Sequence, residues 1–138
     1  MKFWDASAIV PLLLDQPRTE TVRRWVEADR ELVVWWGSPI ECASAISRLH
    51  REGILTGEAE RAARALLDIL RGAWFEIRPS ETVRDQALRL LRVHALRAAD
   101  SLQLAAALEW VGTPPDGVFL TFDDRLRDAA VREGFQVQ

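Results

Sequence analysis

Apolar residues in this chain alternate between two patterns. Some form short continuous runs, and others recur every three or four residues over a dozen positions. The runs Phe3-Trp4, Leu32-Val33-Val34-Trp35, Trp74-Phe75-Glu76-Ile77 and Val118-Phe119-Leu120 have the length and the β-branched and aromatic content of strands. The Leu32 run does not alternate with polar residues, as expected of a parallel strand covered on both faces. The helical periodicity predicts helices over residues 6–14, 18–29, 38–53, 56–72, 81–93, 98–111 and 123–133. Their limits carry local signals. Pro17 starts the second helix, and Ser38, Pro39 and Glu41 have the spacing of an N-cap, a first helical proline and a capping box. Thr56 caps the fourth helix, and Gly53 and Gly72 stop the third and fourth. Gly112-Thr113-Pro114-Pro115-Asp116-Gly117 is the clearest loop, and residues 135–137 suit a last edge strand.

Strands that alternate with helices imply parallel crossovers. The expected architecture is one α/β domain over residues 1–138, with a mainly parallel sheet of four or five strands between helices. A hydrophobic fraction of 49% is ample for one core of this size. Cys42 is the only cysteine, so no intramolecular disulfide is available, and no long uncharged apolar run is present. These features point to a cytoplasmic protein without membrane contact. A net charge of -3 argues against coating nucleic acid through bulk electrostatics. All but one of the eighteen basic residues are arginine, whose planar fork suits phosphate, so a local nucleic-acid contact stays open.

Candidate chemistry gathers where the strands end. Asp5 follows the first strand, Glu41 opens the helix after the second, Asp123 follows the fourth, and Asp100 begins another helix. Taken singly, each has a plain explanation: Asp5 and Asp123 as N-caps, Glu41 as part of a capping box, Asp100 as a charge at the positive end of a helix. Taken together, three of them fall on the rim where open α/β sheets bind ligands. Converging carboxylates repel one another unless a cation neutralises them, and an oxygen-rich set suits Mg²⁺ or Mn²⁺.

The stretches Trp4-Asp5-Ala6-Ser7, Ser38-Pro39-Ile40-Glu41 with Arg48, Ala99-Asp100-Ser101-Leu102-Gln103-Leu104-Ala105, and Leu120-Thr121-Phe122-Asp123 resemble, in order and spacing, the PIN-domain ribonucleases. The resemblance is strongest to VapC-like toxins of type II toxin–antitoxin pairs. It implies a PIN fold and a metal-dependent endoribonuclease, with Asp5, Glu41, Asp100 and Asp123 as catalytic, metal-binding acids around Mg²⁺ or Mn²⁺. Ser7 and Thr121 would be supporting hydroxyls. Asp124 adds an acid beside Asp123 and leaves open which of the two faces the metal. The resemblance further implies hydrolysis of RNA, with tRNA a plausible target, to a 5′-phosphate and a 3′-hydroxyl. A cognate antitoxin covering the acidic groove and a homodimer are implied in the same way.

Other residues are open to two readings. Arg48 lies on the Glu41 face of its helix and suits either a substrate phosphate or a pair with Glu52; Arg97 has the same ambiguity. Trp36, at the rim, and Trp25, on an amphipathic helix, are the tryptophans best placed for exposure to substrate or partner. Trp4, Trp35 and Trp110 read as core. His50 and His94 lack a ligand or triad pattern, and Cys42 reads as a small apolar packing residue. Two rivals to the nuclease stand: a phosphohydrolase with Asp5 as nucleophile, which would want a second aspartate where Ser7 stands, and a catalytically silent PIN-like interaction module.

Overall fold

The computed structural model describes residues 1–138. In chain order the elements are β1 (Lys2–Trp4), α1 (Ala6–Leu13), α2 (Thr19–Ala28), β2 (Leu32–Trp35), α3 (Ser38–Arg51), α4 (Gly57–Arg71), β3 (Phe75–Ile77), α5 (Glu81–Val93), α6 (Ala98–Val111), β4 (Val118–Leu120), α7 (Asp124–Glu133) and β5 (Gln136–Val137). All five strands are parallel, in the order β3-β2-β1-β4-β5. The first strand is therefore the middle one, with Phe3 opposite both Val33 and Phe119.

Alternation along these buried strands divides the core into two layers. Phe3, Val33, Trp35 and Phe119 face α5, α6 and α7. Trp4, Leu32, Val34 and Leu120 face α1 to α4. Both sheet faces are covered, which is why β2 is buried at every position. The chain walks from β1 to β2 and β3, then returns to the other side of β1 for β4 and β5. The order reverses between β1 and β4, and the crevice beyond their carboxyl ends is the place such sheets offer to ligands.

The helix limits agree with the sequence signals except at α3. Thr56 accepts from the Ala59 amide and Ser80 from the Val83 amide as N-caps. At α3, however, Gly37 is the N-cap and makes no side-chain cap, while Ser38 is already inside the helix. The capping box expected of Ser38 and Glu41 does not form, because both side chains turn to Gln103 on α6. Trp25 is the second departure. It is half-buried, edge-on to Trp4 and stacked on Phe122, so its hydrophobic area is spent inside the fold. Trp4 and Trp35 are core, and Trp110 packs against the core.

Candidate active site

Asp5 ends β1 and caps α1. Its amide donates to Leu120 O at 3.0 Å, which extends the sheet ladder by one residue and fixes the aspartate beside β4. Its side chain is 4% exposed. Three hydrogen bonds converge on Oδ2: from the Ser7 amide at 3.1 Å, from Ser7 Oγ, and from Thr121 Oγ1 at 3.0 Å. Each hydroxyl in turn accepts a main-chain amide, Ser7 from Phe122 at 2.8 Å and Thr121 from Asp123 at 3.0 Å. Donors arranged in this way stabilise the charged carboxylate. Burial still wins and pushes the Asp5 carboxyl above its ordinary range. None of the three bonds engages Oδ1.

Glu41 lies in the first turn of α3 and is partly buried. Its carboxyl is pushed up to about 7, first by burial, then by the charge on Asp5 and, to a smaller extent, by that on Asp100. The opposing influence is Gln103, whose Nε2 donates to Glu41 Oε1 at 2.9 Å and to Ser38 Oγ at 3.0 Å. Gln103 is fully buried. In the sequence it is an amide inside the apolar helix Ala98–Val111, and that oddity was the available signal for its role.

Asp100 and Asp123 line one depression of about 390 Å³ with Arg97, Phe122, Asp124 and Arg125. Asp100 Oδ2 accepts the Arg97 amide at 3.0 Å, and Asp123 Oδ1 accepts the Leu126 amide at 2.9 Å. Asp123, not Asp124, is therefore the N-cap of α7, and Asp124 is exposed on the same depression.

The structure thus brings Asp5 and Asp100 each within electrostatic range of Glu41 and places Asp123 on the depression that Asp100 lines. It does not close all four on one point: no three acidic or ligating side chains stand, as they are, in an arrangement that would hold an ion. Asp5, Asp100 and Asp123 each lend a carboxylate oxygen to a helix start. Releasing such a cap costs about 1 kcal/mol. Hard oxygen donors, burial and repulsion that raises Glu41 together fit Mg²⁺ or Mn²⁺.

The remaining candidates, apart from Arg97, lie farther out. Arg48 Nη1 meets Glu52 at 3.5 Å, the pairing alternative. Arg97 lines the acidic depression. Trp36 is exposed but belongs to a separate groove with Pro39, Ile40 and Arg64, between α3 and α4. His50 and His94 face Glu60 and Glu133, away from the acids. Cys42 is buried beside Glu41, and burial pushes its thiol up to about 12, which leaves it inert.

Residues 2–132 match the PIN domain family. The chain belongs to that family. As a PIN domain it is 33% identical over 135 residues to ribonuclease VapC46 of Mycobacterium tuberculosis, covering 98% of this chain and 94% of that protein. It is 32% identical to ribonuclease VapC45 of the same species, over 98% of this chain and 92% of the relative. Among solved structures, the PIN domain superposes on VapC20 of M. tuberculosis, a sarcin–ricin-loop-cleaving toxin, with a TM-score of 0.69 at 20% identity, covering 99% and 97% of the two chains. FitAB bound to the IR36 DNA fragment gives 0.70 at 18% identity, covering 100% and 94%. These two show the shared fold. No helix of this PIN domain is long and apolar enough to cross a membrane.

Proposed function

We propose that this PIN domain is a metal-dependent endoribonuclease and the toxin of a toxin–antitoxin pair. The observation that carries the proposal is the geometry of the site: Asp5 held by three hydrogen bonds at the end of β1, Glu41 held by Gln103 in the first turn of α3, and Asp100 and Asp123 lining one depression. Like charges gathered around one group cost free energy, and such groups concentrate at functional sites. The names of its relatives, ribonucleases VapC46 and VapC45, support the same substrate class.

Asp5, Glu41, Asp100 and Asp123 would hold Mg²⁺ or Mn²⁺. When bound, the ion supplies stabilisation of charge on the phosphoryl group and a lowered pKa for water. The chain does the rest. Ser7 and Thr121 hold Asp5 by Oδ2 so that its other oxygen faces the ligand. Gln103 holds Glu41 as an acceptor, which orients its carboxylate toward the site. The hydrolysis leaves a 5′-phosphate and a 3′-hydroxyl, with no covalent enzyme intermediate. Structured RNA such as tRNA is the proposed target class, and the site works in a cytoplasmic homodimer silenced by a cognate antitoxin.

The silent interaction module is the second reading, favoured by one observation: three of the four acids, Asp5, Asp100 and Asp123, are already engaged at helix starts. Incubating the purified, antitoxin-free protein with total RNA separates the two. Discrete products with Mg²⁺ or Mn²⁺, lost with EDTA and with Asp5→Asn, are expected of the nuclease. No products under any metal would favour the module.

A further inference from the structure

We propose that Arg18, Arg97 and Arg125 form a phosphate clamp around the acidic depression, gripping the backbone of a single-stranded nucleic acid. Arg18 is the least expected member. Its guanidinium carbon lies 4.3 Å from the centroid of the Phe122 ring, and Nη1 donates to Phe122 O at 3.4 Å. Phe122 stacks on Trp25 with centroids 5.3 Å apart, and Trp25 meets the fully buried Trp4 edge-on at 6.0 Å. An exposed cation thus rests on an aromatic column rooted in the core. Stacking orders the side chain before any ligand arrives, so less entropy is lost on binding.

The column ends at the site, because Phe122 itself lines the depression together with Arg97, Asp100, Asp123, Asp124 and Arg125. The three arginines come from three elements. Arg18 precedes α2, Arg97 precedes α6, and Arg125 is the second residue of α7. None makes an ion pair, although carboxylates stand beside them. Five other arginines, Arg48, Arg64, Arg71, Arg84 and Arg89, do pair, and the rest of the seventeen do not, so it is the place of these three at the depression and on Phe122 that sets them apart.

Arg97 and Arg125 share the depression with three acids, and Arg18 rests on Phe122, which lines it; with no ion pair among them, both signs stay available. A ligand must then present both. A free cation satisfies only the acids, and an acidic peptide satisfies only the arginines. A phosphodiester chain accompanied by a divalent cation satisfies both. The assignment rests on the nuclease reading for its choice of substrate, but binding can be measured without cleavage.

The test is fluorescence anisotropy of a short fluorescein-labelled single-stranded RNA with the full chain, at a fixed Ca²⁺ concentration and in parallel in EDTA, over a series of monovalent salt concentrations. Each phosphate contact to a single strand contributes about 0.7 to the slope of log affinity against log salt. Arg18→Gln, Arg97→Gln and Arg125→Gln are each expected to lower that slope by about that amount and to weaken binding. Arg84→Gln, which removes a cation paired with Glu81, should change neither. Arg18→Lys should keep the slope and still lose affinity, because an ammonium cannot lie flat on Phe122. Thermal melts confirm that each variant is folded. Unchanged slopes in the three variants, or no RNA binding by the wild type, would overturn the clamp. Arginine-dependent binding by a protein that cleaves nothing would keep the clamp and remove the nuclease.

Discussion

Gln103 and Glu41 are joined across two helices by a 2.9 Å hydrogen bond from the amide to the carboxylate, sixty-two residues apart in the chain. The same amide nitrogen reaches Ser38, so one buried side chain locks the start of α3 onto α6. Glu41 is thereby set against Asp5 and Asp100 instead of capping its own helix.

Replacing Gln103 by Met keeps the volume and removes both bonds. Ser38, which is fully buried, and Glu41 then lose their donor. A loss of about 1–3 kcal/mol in urea unfolding is expected. A variant as stable as the wild type would mean that the bond contributes nothing.

The raised carboxyl of Glu41 makes the metal-free protein sensitive to pH. Between its ordinary value of 4.5 and about 7, the folded state binds more protons than the unfolded one. Stability therefore falls as pH rises through that window and levels off above it. The drop is on the order of 2 kcal/mol after discounting for partial exposure. Urea midpoints in EDTA should show it, and Glu41→Gln should flatten the profile.

Binding of Mg²⁺ or Mn²⁺ should offset the repulsion. At a concentration one hundred times the dissociation constant, the gain is about 2.7 kcal/mol. Thermal melts with and without the ion read this directly. Asp5→Asn should abolish the metal-dependent shift while melting no lower than wild type in EDTA, since it removes a charge that burial penalises.

Thr121→Val deletes a hydroxyl that donates to Asp5 and accepts from the Asp123 amide, while keeping nearly the same shape. Cleavage should fall about 10- to 100-fold, the usual cost of losing a group that orients a metal ligand. Thr121→Ser should restore most of it. Equal rates in all three proteins would show that the hydroxyl has no orienting role.

Far from the site, Glu133 receives Arg89 at 2.6 Å and His94 Nε2 at 2.7 Å, tying α7 to the end of α5. The Arg89 hydrogen bonds, and secondarily His94, hold its carboxyl below its ordinary value of 4.5. The stabilisation is complete above that value and is lost as pH falls through the lowered one. Glu133→Gln should cost about 1 kcal/mol at neutral pH and leave RNA cleavage unchanged, as measured by urea unfolding and product formation.

The amino-acid sequence by itself determined the alternation of strands and helices, the parallel sheet, most helix ends and the positions of the four acids. Each of these depends on patterns within a few residues: apolar runs, three- and four-residue spacing, and side chains that cap the next turn. The tertiary structure alone decided which of several competing partners each polar group took. Ser38 had the local spacing of a cap, yet it points to Gln103, because a buried amide from α6 is the better partner in a place without water. Asp123 rather than Asp124 became the cap of α7, and Arg18 came to rest on Phe122 from 104 positions away. The charge of Asp5 raises Glu41 only because two strands distant in the chain lie side by side in the sheet. Such choices turn on contacts between distant segments and on the loss of water around them, and local sequence carries neither.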